Sequence, residues 1–226
     1  RQEGFKESQS RYERVRQAYD EKYAVLTEAL TEKNIPVTRF EAFIRVYKAE
    51  GMLELWGKEK GEAAFSLIRE FPVCASSGHA GPKRKEGDGQ VPEGFYYLEH
   101  FNPWSRFHLS FSINYPNASD RILGDKEHPG GNICIHGSCV TIGCIPLTDD
   151  GIKLLYVAAV EARNNGQTRI PVAIFPCRME GETLRELQVQ YAGNPGYCTL
   201  WNDLKTEYDY FRAHRCRLPV TTGQDG

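Results

Sequence analysis

Apolar side chains recur in steps of three or four residues along the N-terminal part of the chain: Val15, Tyr19, Tyr23, Leu26 and Leu30. Such steps place these side chains on one face of an α-helix, and Arg, Glu, Lys and Gln occupy the opposite face. The pattern predicts a helix over residues 6–33, and Asn34 and Pro36 predict its end. We expect the apolar stripe to pack on the surface of a domain.

After this helix the pattern changes to short, roughly alternating runs that are rich in β-branched and aromatic residues. These runs predict β-strands at residues 40–47, 53–56, 64–73, 95–99, 108–115, 133–135 and 169–176. Glu50-Gly51 predicts a hairpin turn between the first two strands. Residues 76–94 and 116–131 are predicted loops, and a loop as long as the first is often functional.

Helical periodicity returns in the C-terminal third of the chain. Ile152, Leu155, Tyr156 and Ala159 form the stripe of a helix predicted over residues 150–163, for which Thr148 or Asp149 is the N-cap. Residues 183–215 are predicted to be mostly helical, with a break at 193–196.

The order of these elements predicts the fold class. A helix, many strands, a helix, a strand and further helices indicate an α+β fold with a β-rich, mixed or mainly antiparallel sheet. We divide the chain into an N-terminal helix (1–36), a β-rich central domain (37–180) and a helical C-terminal extension (181–226).

Composition and charge exclude several classes of protein. Of the 226 residues, 40% are hydrophobic and 26% are charged, which is ordinary for a globular protein and argues against disorder. The 28 basic and 30 acidic residues nearly cancel, so charge gives no reason to expect nucleic-acid binding. We expect no membrane span, because no apolar run approaches the roughly 20 residues that a span needs.

The segment richest in reactive side chains is residues 128–148, HPGGNICIHGSCVTIGCIPLT. If Ile133 and Ile135 face the core from a strand, then Cys134 and His136 face together in the opposite direction. The Gly-rich loop 137–143 then returns the chain and brings Cys144 back toward them.

A thiol nucleophile needs a base, a group that orients the base, and donors for the developing oxyanion. His136 lies eight residues before Cys144, which is enough for a strand and a return loop, and a backbone carbonyl near Gly137 can orient its ring. The N–H groups of Gly143 and Cys144 are candidate oxyanion donors, because glycine permits a close backbone approach. His128 is the rival base, but it lies in a turn-like HPGG context, so we favour His136.

Here the sequence resembles a known family. IHGSCVTIGC is similar to the catalytic signature of the L,D-transpeptidase (YkuD-like) domain, and Thr141 to Cys144 match its [ST]-x-GC turn. The short loop between His and Cys is most similar to the YafK-like branch. Residues 81–98, GPKRKEGDGQVPEGFYYL, resemble a second stretch of that family, and the likeness extends roughly over residues 40–178.

The resemblance implies a function in the cell envelope or periplasm. Cys144 would be the nucleophile, His136 the base and the Gly137 carbonyl its orienting group. The substrate would be a peptidoglycan stem peptide, which the thiolate attacks at the carbonyl of the third residue, a diamino acid. The thioester would pass to an amine or to water, with no metal or organic cofactor. The start at Arg1 leaves room for a removed leader, which fits an exported protein.

One position departs from the family pattern. Many members carry Arg two residues after the catalytic Cys, where this chain has Pro146. The donor specificity therefore stays open, and a hydrolase that cuts the link between peptidoglycan and a wall-linked protein is compatible with the change. Lys83, Arg84 or Lys85 are candidates for a substitute charge. The full set of predicted substrate-binding residues is Lys83, Arg84, Tyr97, His128 and Thr141.

Two alternatives from other classes remain. Cys134, His136, Cys139 and Cys144 could form a structural zinc site, although no second ligand pair is evident. The chain could also be an inactive module that only binds the cell wall.

The seven cysteines leave at least one free thiol in an exported protein, and the six other than Cys144 allow 15 pairings. Cys198 and Cys216 flank the C-terminal helical region, so a bond between them is one expectation. Cys134 could pair with Cys139, which would brace the loop, or with Cys144, which would inactivate the enzyme.

Overall fold

A computed structural model describes residues 4–226, and its centre is one curled sheet of eight strands. The strands are β1 (Phe40–Tyr47), β2 (Met52–Glu59), β3 (Ser66–Pro72), β4 (Gly94–Asn102), β5 (Ser110–Ile113), β6 (Cys134–His136), β7 (Ile145–Pro146) and β8 (Pro171–Phe175). Their order across the sheet is β3-β2-β1-β8-β4-β5-β6-β7.

The sheet is mixed, as the sequence predicted. β1 pairs with β8 and β6 pairs with β7 in parallel, and the remaining neighbours are antiparallel. Beyond β3, the backbone N–H of Cys74 donates to the carbonyl of Pro146 in β7 (3.1 Å). This bond joins the first and last strands of the order, so the sheet curls until its two ends meet.

The helices are α1 (Phe5–Gln9), α2 (Glu13–Thr31), α3 (Ala118–Leu123), α4 (Asp149–Asn164), α5 (Gly181–Gln190) and α6 (Pro195–His214), with a 3-10 turn at Val37–Arg39. The predicted helix over 6–33 is therefore two helices. Buried Gln9 at the end of α1 accepts a hydrogen bond from Tyr156 Oη (2.6 Å). This bond ties the end of α1 to α4 at the point where the helix is interrupted. Helical periodicity in the sequence gives no sign of the interruption.

The predicted loop 116–131 contains the short helix α3. Asn117 caps it and forms a capping box with Asp120, whose carboxylate also accepts from Tyr96 Oη (2.8 Å). Six residues are too few for an apolar stripe, so the hydrophobic pattern gave no signal.

Alternating side chains of β1 contribute to two cores. Ala42, Ile44 and Val46 belong to a core with α2 and α4, whereas Phe43 and Tyr47 belong to a second core with α6. The sheet is thus covered by helices on both faces, which explains why all but one residue of β1 is buried. Within residues 4–226, no helix is long and apolar enough to cross a membrane.

Candidate active site

The parallel pairing of β6 and β7 brings the predicted catalytic residues together. Ile135 is opposite Ile145 and His136 is opposite Pro146, so Cys144, one residue before β7, lies beside Cys134. Ile133 and Ile135 are buried in the first core, as the alternation predicted. Cys134, His136 and Cys144 consequently share the other face of these strands.

The His136 ring is held in one orientation. Its Nδ1 lies 2.5 Å from the Gly137 carbonyl, so Nδ1–H donates to that oxygen and Nε2 remains for Cys144, with which the ring forms a hydrogen bond. The Phe107 ring stacks on the imidazole at a centroid distance of 4.5 Å. His136 is only 2% exposed, which leaves the ring little freedom to turn away.

Gly137 is required for a steric reason. A Cβ at this position would lie 2.6 Å from Asp149 Oδ1 and 2.8 Å from the Phe107 carbonyl. The same Asp149 carboxylate accepts from the Ser138 N–H (2.9 Å) and so anchors the start of the return loop. The loop can therefore leave β6 only if residue 137 has no side chain.

The return loop is also anchored covalently, by a disulfide between Cys139 and Cys74 that spans 65 residues of sequence. This pairing was not among those singled out from the sequence. Cys139 does not pair with Cys134, and the expected Cys198–Cys216 bond is absent because both residues are free thiols. Cys134 and Cys144 are free as well, and both are half-buried.

Thr141 organises the turn that precedes Cys144. Its Oγ1 accepts from the N–H groups of Cys144 (2.8 Å) and Gly143 (3.2 Å) and donates to the Cys144 carbonyl (2.7 Å). These are the two N–H groups that the sequence suggested for the oxyanion. In this structure they are engaged by the Thr141 hydroxyl, so an oxyanion must displace it to use them.

The environment of Cys144 favours the thiolate. A hydrogen bond from the Cys134 side chain is the largest influence on Cys144; together with His136 and the Cys134 N–H it outweighs burial and lowers the pKa to about 5. The Cys134 N–H lies 3.3 Å from the Cys144 sulfur. Burial alone would lower the pKa of His136, but its bonds with Cys144 and the Gly137 carbonyl raise it above its ordinary value. The geometry therefore favours a thiolate–imidazolium pair.

Two cavities meet at Cys144. The larger, about 600 Å³, is bordered by His136, Thr141, Phe107, Lys83 and Gly143 among others. The smaller, about 320 Å³, is walled mainly by small and apolar residues: Val46, Ala49, Val73, Ala75, Ser77, Val91 and Leu187. His136 borders the larger cavity and not the smaller one.

The structure separates the predicted substrate-binding residues. Lys83 borders the larger cavity, but it is 5% exposed and its Nζ is paired with Asp88 (2.7 Å). Arg84 and Tyr97 border a different cavity of about 780 Å³, where Arg84 pairs with Asp120 (3.2 Å).

His128 is exposed, and its N–H donates to Asp125 (2.8 Å). It lies in the turn between α3 and β6, whereas His136 lies beside Cys144. Of the five predicted binding residues, only Thr141 and Lys83 border a cavity at Cys144.

The second family-like stretch braces the loop that faces the site. Asp88 accepts from Lys83 Nζ and from the N–H groups of Arg84, Lys85 and Gln90. Glu93, 2% exposed, accepts from Lys48, the Gly81 N–H and Trp201 Nε1. The charges of Lys83, Asp88 and Glu93 are therefore paired within the protein.

Sequence reasoning missed Phe107 and the loop-anchoring role of Asp149. The sequence indicates Asp149 only as a candidate helix N-cap. In the structure Thr148 performs that role, because its side chain accepts from the Gly151 N–H (3.0 Å). Phe107 lies 29 positions before His136 in the sequence, and no local pattern connects the two.

The structure removes one of the four side chains that the alternative zinc site would need. Cys139 is oxidised in the bond with Cys74 and cannot act as a thiolate ligand. Within residues 4–226, no group of three His, Cys, Asp or Glu side chains is arranged to hold a metal ion.

The sequence is similar to a known domain family and to a known relative. Residues 41–173 match the YkuD family, the L,D-transpeptidase catalytic domain. Over 175 residues the chain is 34% identical to YafK of Escherichia coli (strain K12), named as a candidate L,D-transpeptidase, covering 76% of this chain and 67% of YafK.

Two solved structures are similar in part. The helical cell shape determining protein Pgp2 from Campylobacter jejuni has a TM-score of 0.47 and 25% identity, over 60% of this chain and 47% of that one. Bdellovibrio bacteriovorus Bd1075 has a TM-score of 0.44 and 22% identity, over 76% of this chain and 57% of that one. The chain thus spans about half the length of each.

The family match covers more than half of the chain and includes His136, Gly137, Gly143 and Cys144. The identity to YafK extends over three quarters of the chain. The chain therefore belongs to the YkuD family of L,D-transpeptidase catalytic domains, whose activity concerns peptidoglycan.

Proposed function

We propose that this chain is a cysteine acyltransferase or hydrolase of peptidoglycan stem peptides in the cell envelope. The observation that carries the proposal is the Cys144–His136 pair, in which Gly137 orients the imidazole and two cavities open on the sulfur. Family membership supports the class of substrate, and the geometry supports the type of chemistry.

In the first step, the Cys144 thiolate attacks a peptide carbonyl and a tetrahedral oxyanion forms. The N–H groups of Gly143 and Cys144 stabilise it once the Thr141 hydroxyl gives way. The intermediate collapses to a thioester as the His136 Nε2 proton passes to the leaving amine. The Gly137 carbonyl keeps Nδ1 protonated throughout.

In the second step, His136 removes a proton from an incoming amine or water, which attacks the thioester and releases Cys144. The leaving and the incoming group must both meet Nε2, so both use the cavity of about 600 Å³ that His136 borders. The cavity of about 320 Å³ touches Cys144 but not His136, and we assign part of the acyl chain to it.

The cavities also bear on the missing Arg. Lys83 is paired with Asp88, and Arg84 borders a different cavity. Neither therefore takes the place of the Arg that many family members carry where this chain has Pro146. With Lys83 and Arg84 engaged elsewhere, we favour a substrate in which the leaving group carries no essential carboxylate, such as a protein side-chain amine.

The experiment incubates the purified chain with tetrapeptide muropeptides, and with stem peptides amide-linked to a lysine peptide, each with and without an amine acceptor. Products are identified by liquid chromatography and mass spectrometry. We expect turnover by the wild type and by the matched thiol control Cys198→Ala. We expect none by Cys144→Ala, a loss of at least about 10³-fold.

Circular dichroism of each variant checks that the fold persists. Full turnover by Cys144→Ala would refute the nucleophile. Wild-type binding to peptidoglycan without any product would instead favour the inactive wall-binding alternative. Products formed only with water identify a hydrolase, and aminated products identify a transpeptidase.

A further inference from the structure

A second thiol lies directly beside the nucleophile. Cys134 and Cys144 each directly precede a residue of the Ile135–Ile145 pair, with which the parallel pairing of β6 and β7 begins. The Asn132 carbonyl oxygen lies 3.6 Å from each of the two sulfur atoms. Both side chains project on the same face of the strands, and the Cys134 N–H donates to the Cys144 sulfur (3.3 Å).

This spacing suits a disulfide. Adjacent strands lie about 4.8 Å apart, and disulfides join residues whose Cα atoms are about 4.4–6.8 Å apart. The remaining cysteines do not compete for either sulfur. Cys139 forms a disulfide with Cys74, and Cys177 is fully buried in the second core. Cys198 lies in α6 and Cys216 lies just after it.

We propose that Cys134 is a resolving thiol, and that Cys134 and Cys144 form a reversible disulfide that masks the nucleophile. The proposal rests on the proposed function in one respect, because it takes Cys144 to be the reactive thiol. It goes beyond that function by assigning a redox modification site to the catalytic centre.

The chemistry is thiol–disulfide exchange with a small or protein disulfide, RSSR. The Cys144 thiolate attacks one sulfur of RSSR and releases RS⁻, which leaves a mixed disulfide on Cys144. Cys134 then loses its proton and attacks the Cys144 sulfur, which forms the Cys134–Cys144 bond and releases the second RS⁻. The two thiols are oxidised by two electrons, and RSSR is reduced to two RSH.

The local environment supports this order of events. Cys144 faces the cavity of about 600 Å³, which has room for a small disulfide, and a lowered pKa makes it the attacking thiol. The hydrogen bond with Cys144 and burial raise the pKa of Cys134. Once Cys144 is a neutral mixed disulfide, the influence of its charge on Cys134 disappears.

The test equilibrates the wild-type chain with increasing ratios of oxidised to reduced glutathione, followed by alkylation and non-reduced peptide mapping by tandem mass spectrometry. We expect the alkylatable fraction of Cys144 to fall at least about tenfold and to return with dithiothreitol. The protein should lose two hydrogen atoms and yield a linked peptide that contains Cys134 and Cys144.

Two variants complete the test. Cys134→Ser cannot resolve the mixed disulfide, so Cys144 should accumulate one glutathione. Cys198→Ser removes a distant half-buried thiol and should behave as the wild type. Glutathione on wild-type Cys144 with Cys134 still alkylatable would overturn the proposal. Because mapping requires no turnover, that result is distinct from a failure of reduced wild type to act on muropeptides, which would overturn the proposed function.

Discussion

Two regions of the sheet each hold a pair of ionisable side chains: one pair is enclosed by the protein, and the other borders cavities. Beneath α6, Arg45 and Glu207 are 1% and 3% exposed and form a pair with Nη1 2.9 Å and 3.0 Å from the two carboxylate oxygens. The guanidinium also packs on the rings of Phe211 and Phe175. At β6 and β7, neighbouring groups also hold the Cys144–His136 pair in place. Here, however, Cys144 borders two cavities and His136 borders one of them.

The thiols of the two regions show the same contrast. Burial raises the pKa of Cys177, which lies in the second core with α6, to about 12 and keeps this thiol neutral. The hydrogen bond from Cys134 and the partnership with His136 lower the pKa of Cys144 to about 5. A buried thiol thus becomes reactive only where its charged form has donors and where a substrate can reach it.

The largest expected effect tests the base in the open region. His136→Ala should lower muropeptide turnover by about 10²–10⁴-fold, because it removes both the partner of the thiolate and the proton carrier. Initial rates at saturating muropeptide give the measurement. His128→Ala is the matched control and should change the rate little, since His128 is exposed and lies outside the site. The reverse order of effects would make His128 the base.

The next effect tests the closed region. Glu207→Ala should lower the free energy of unfolding by about 3–5 kcal/mol, because Arg45 is left buried without a partner. Urea denaturation measures this loss. The double variant Arg45→Met with Glu207→Leu should recover most of it, since a well-packed apolar pair removes both charges. An equal loss in the double variant would show that packing volume, rather than the charge, is responsible.

The pH dependence compares the two thiols directly. Alkylation of Cys144 by iodoacetamide should stay near its maximum at neutral pH and fall on acidification through about pH 5, where the thiolate gains its proton. Cys177, with a raised pKa and no exposure, should react only after unfolding. Peptide mapping after timed quenching separates the two sites. A Cys144 profile centred near pH 8 would contradict the assigned thiolate.

The smallest effect concerns Phe107, whose ring stacks on His136 and borders the cavity of about 600 Å³. Phe107→Ala should cost about 0.5–1.5 kcal/mol of ring stacking, or roughly a 2- to 10-fold loss of rate. It should also lower the order of the His136 ring in NMR spectra. Phe107→Tyr keeps the stacked ring and should restore both properties. An undiminished rate in Phe107→Ala would mean that the Gly137 carbonyl alone orients the base.

Local patterns predicted the parts of the fold that depend on neighbouring residues. The strand over residues 40–47 and the helix after Thr148 have the expected bounds within a residue or so, because their faces repeat along the chain. The break at residues 10–12 and the short helix α3 were missed, since a contact with Tyr156 and a capping box determine them. The three-part division of the chain remains a prediction.

The sequence by itself predicted the pair His136 and Cys144. An alternating strand, a glycine at its end and an eight-residue return are local features, so they point to these two residues without knowledge of the fold. Only the tertiary structure decided that Cys74 holds the loop, that Cys134 lies beside Cys144 and that Arg84 and Tyr97 lie at another cavity. These depend on how the sheet curls and which distant segments it joins, which local periodicity does not encode.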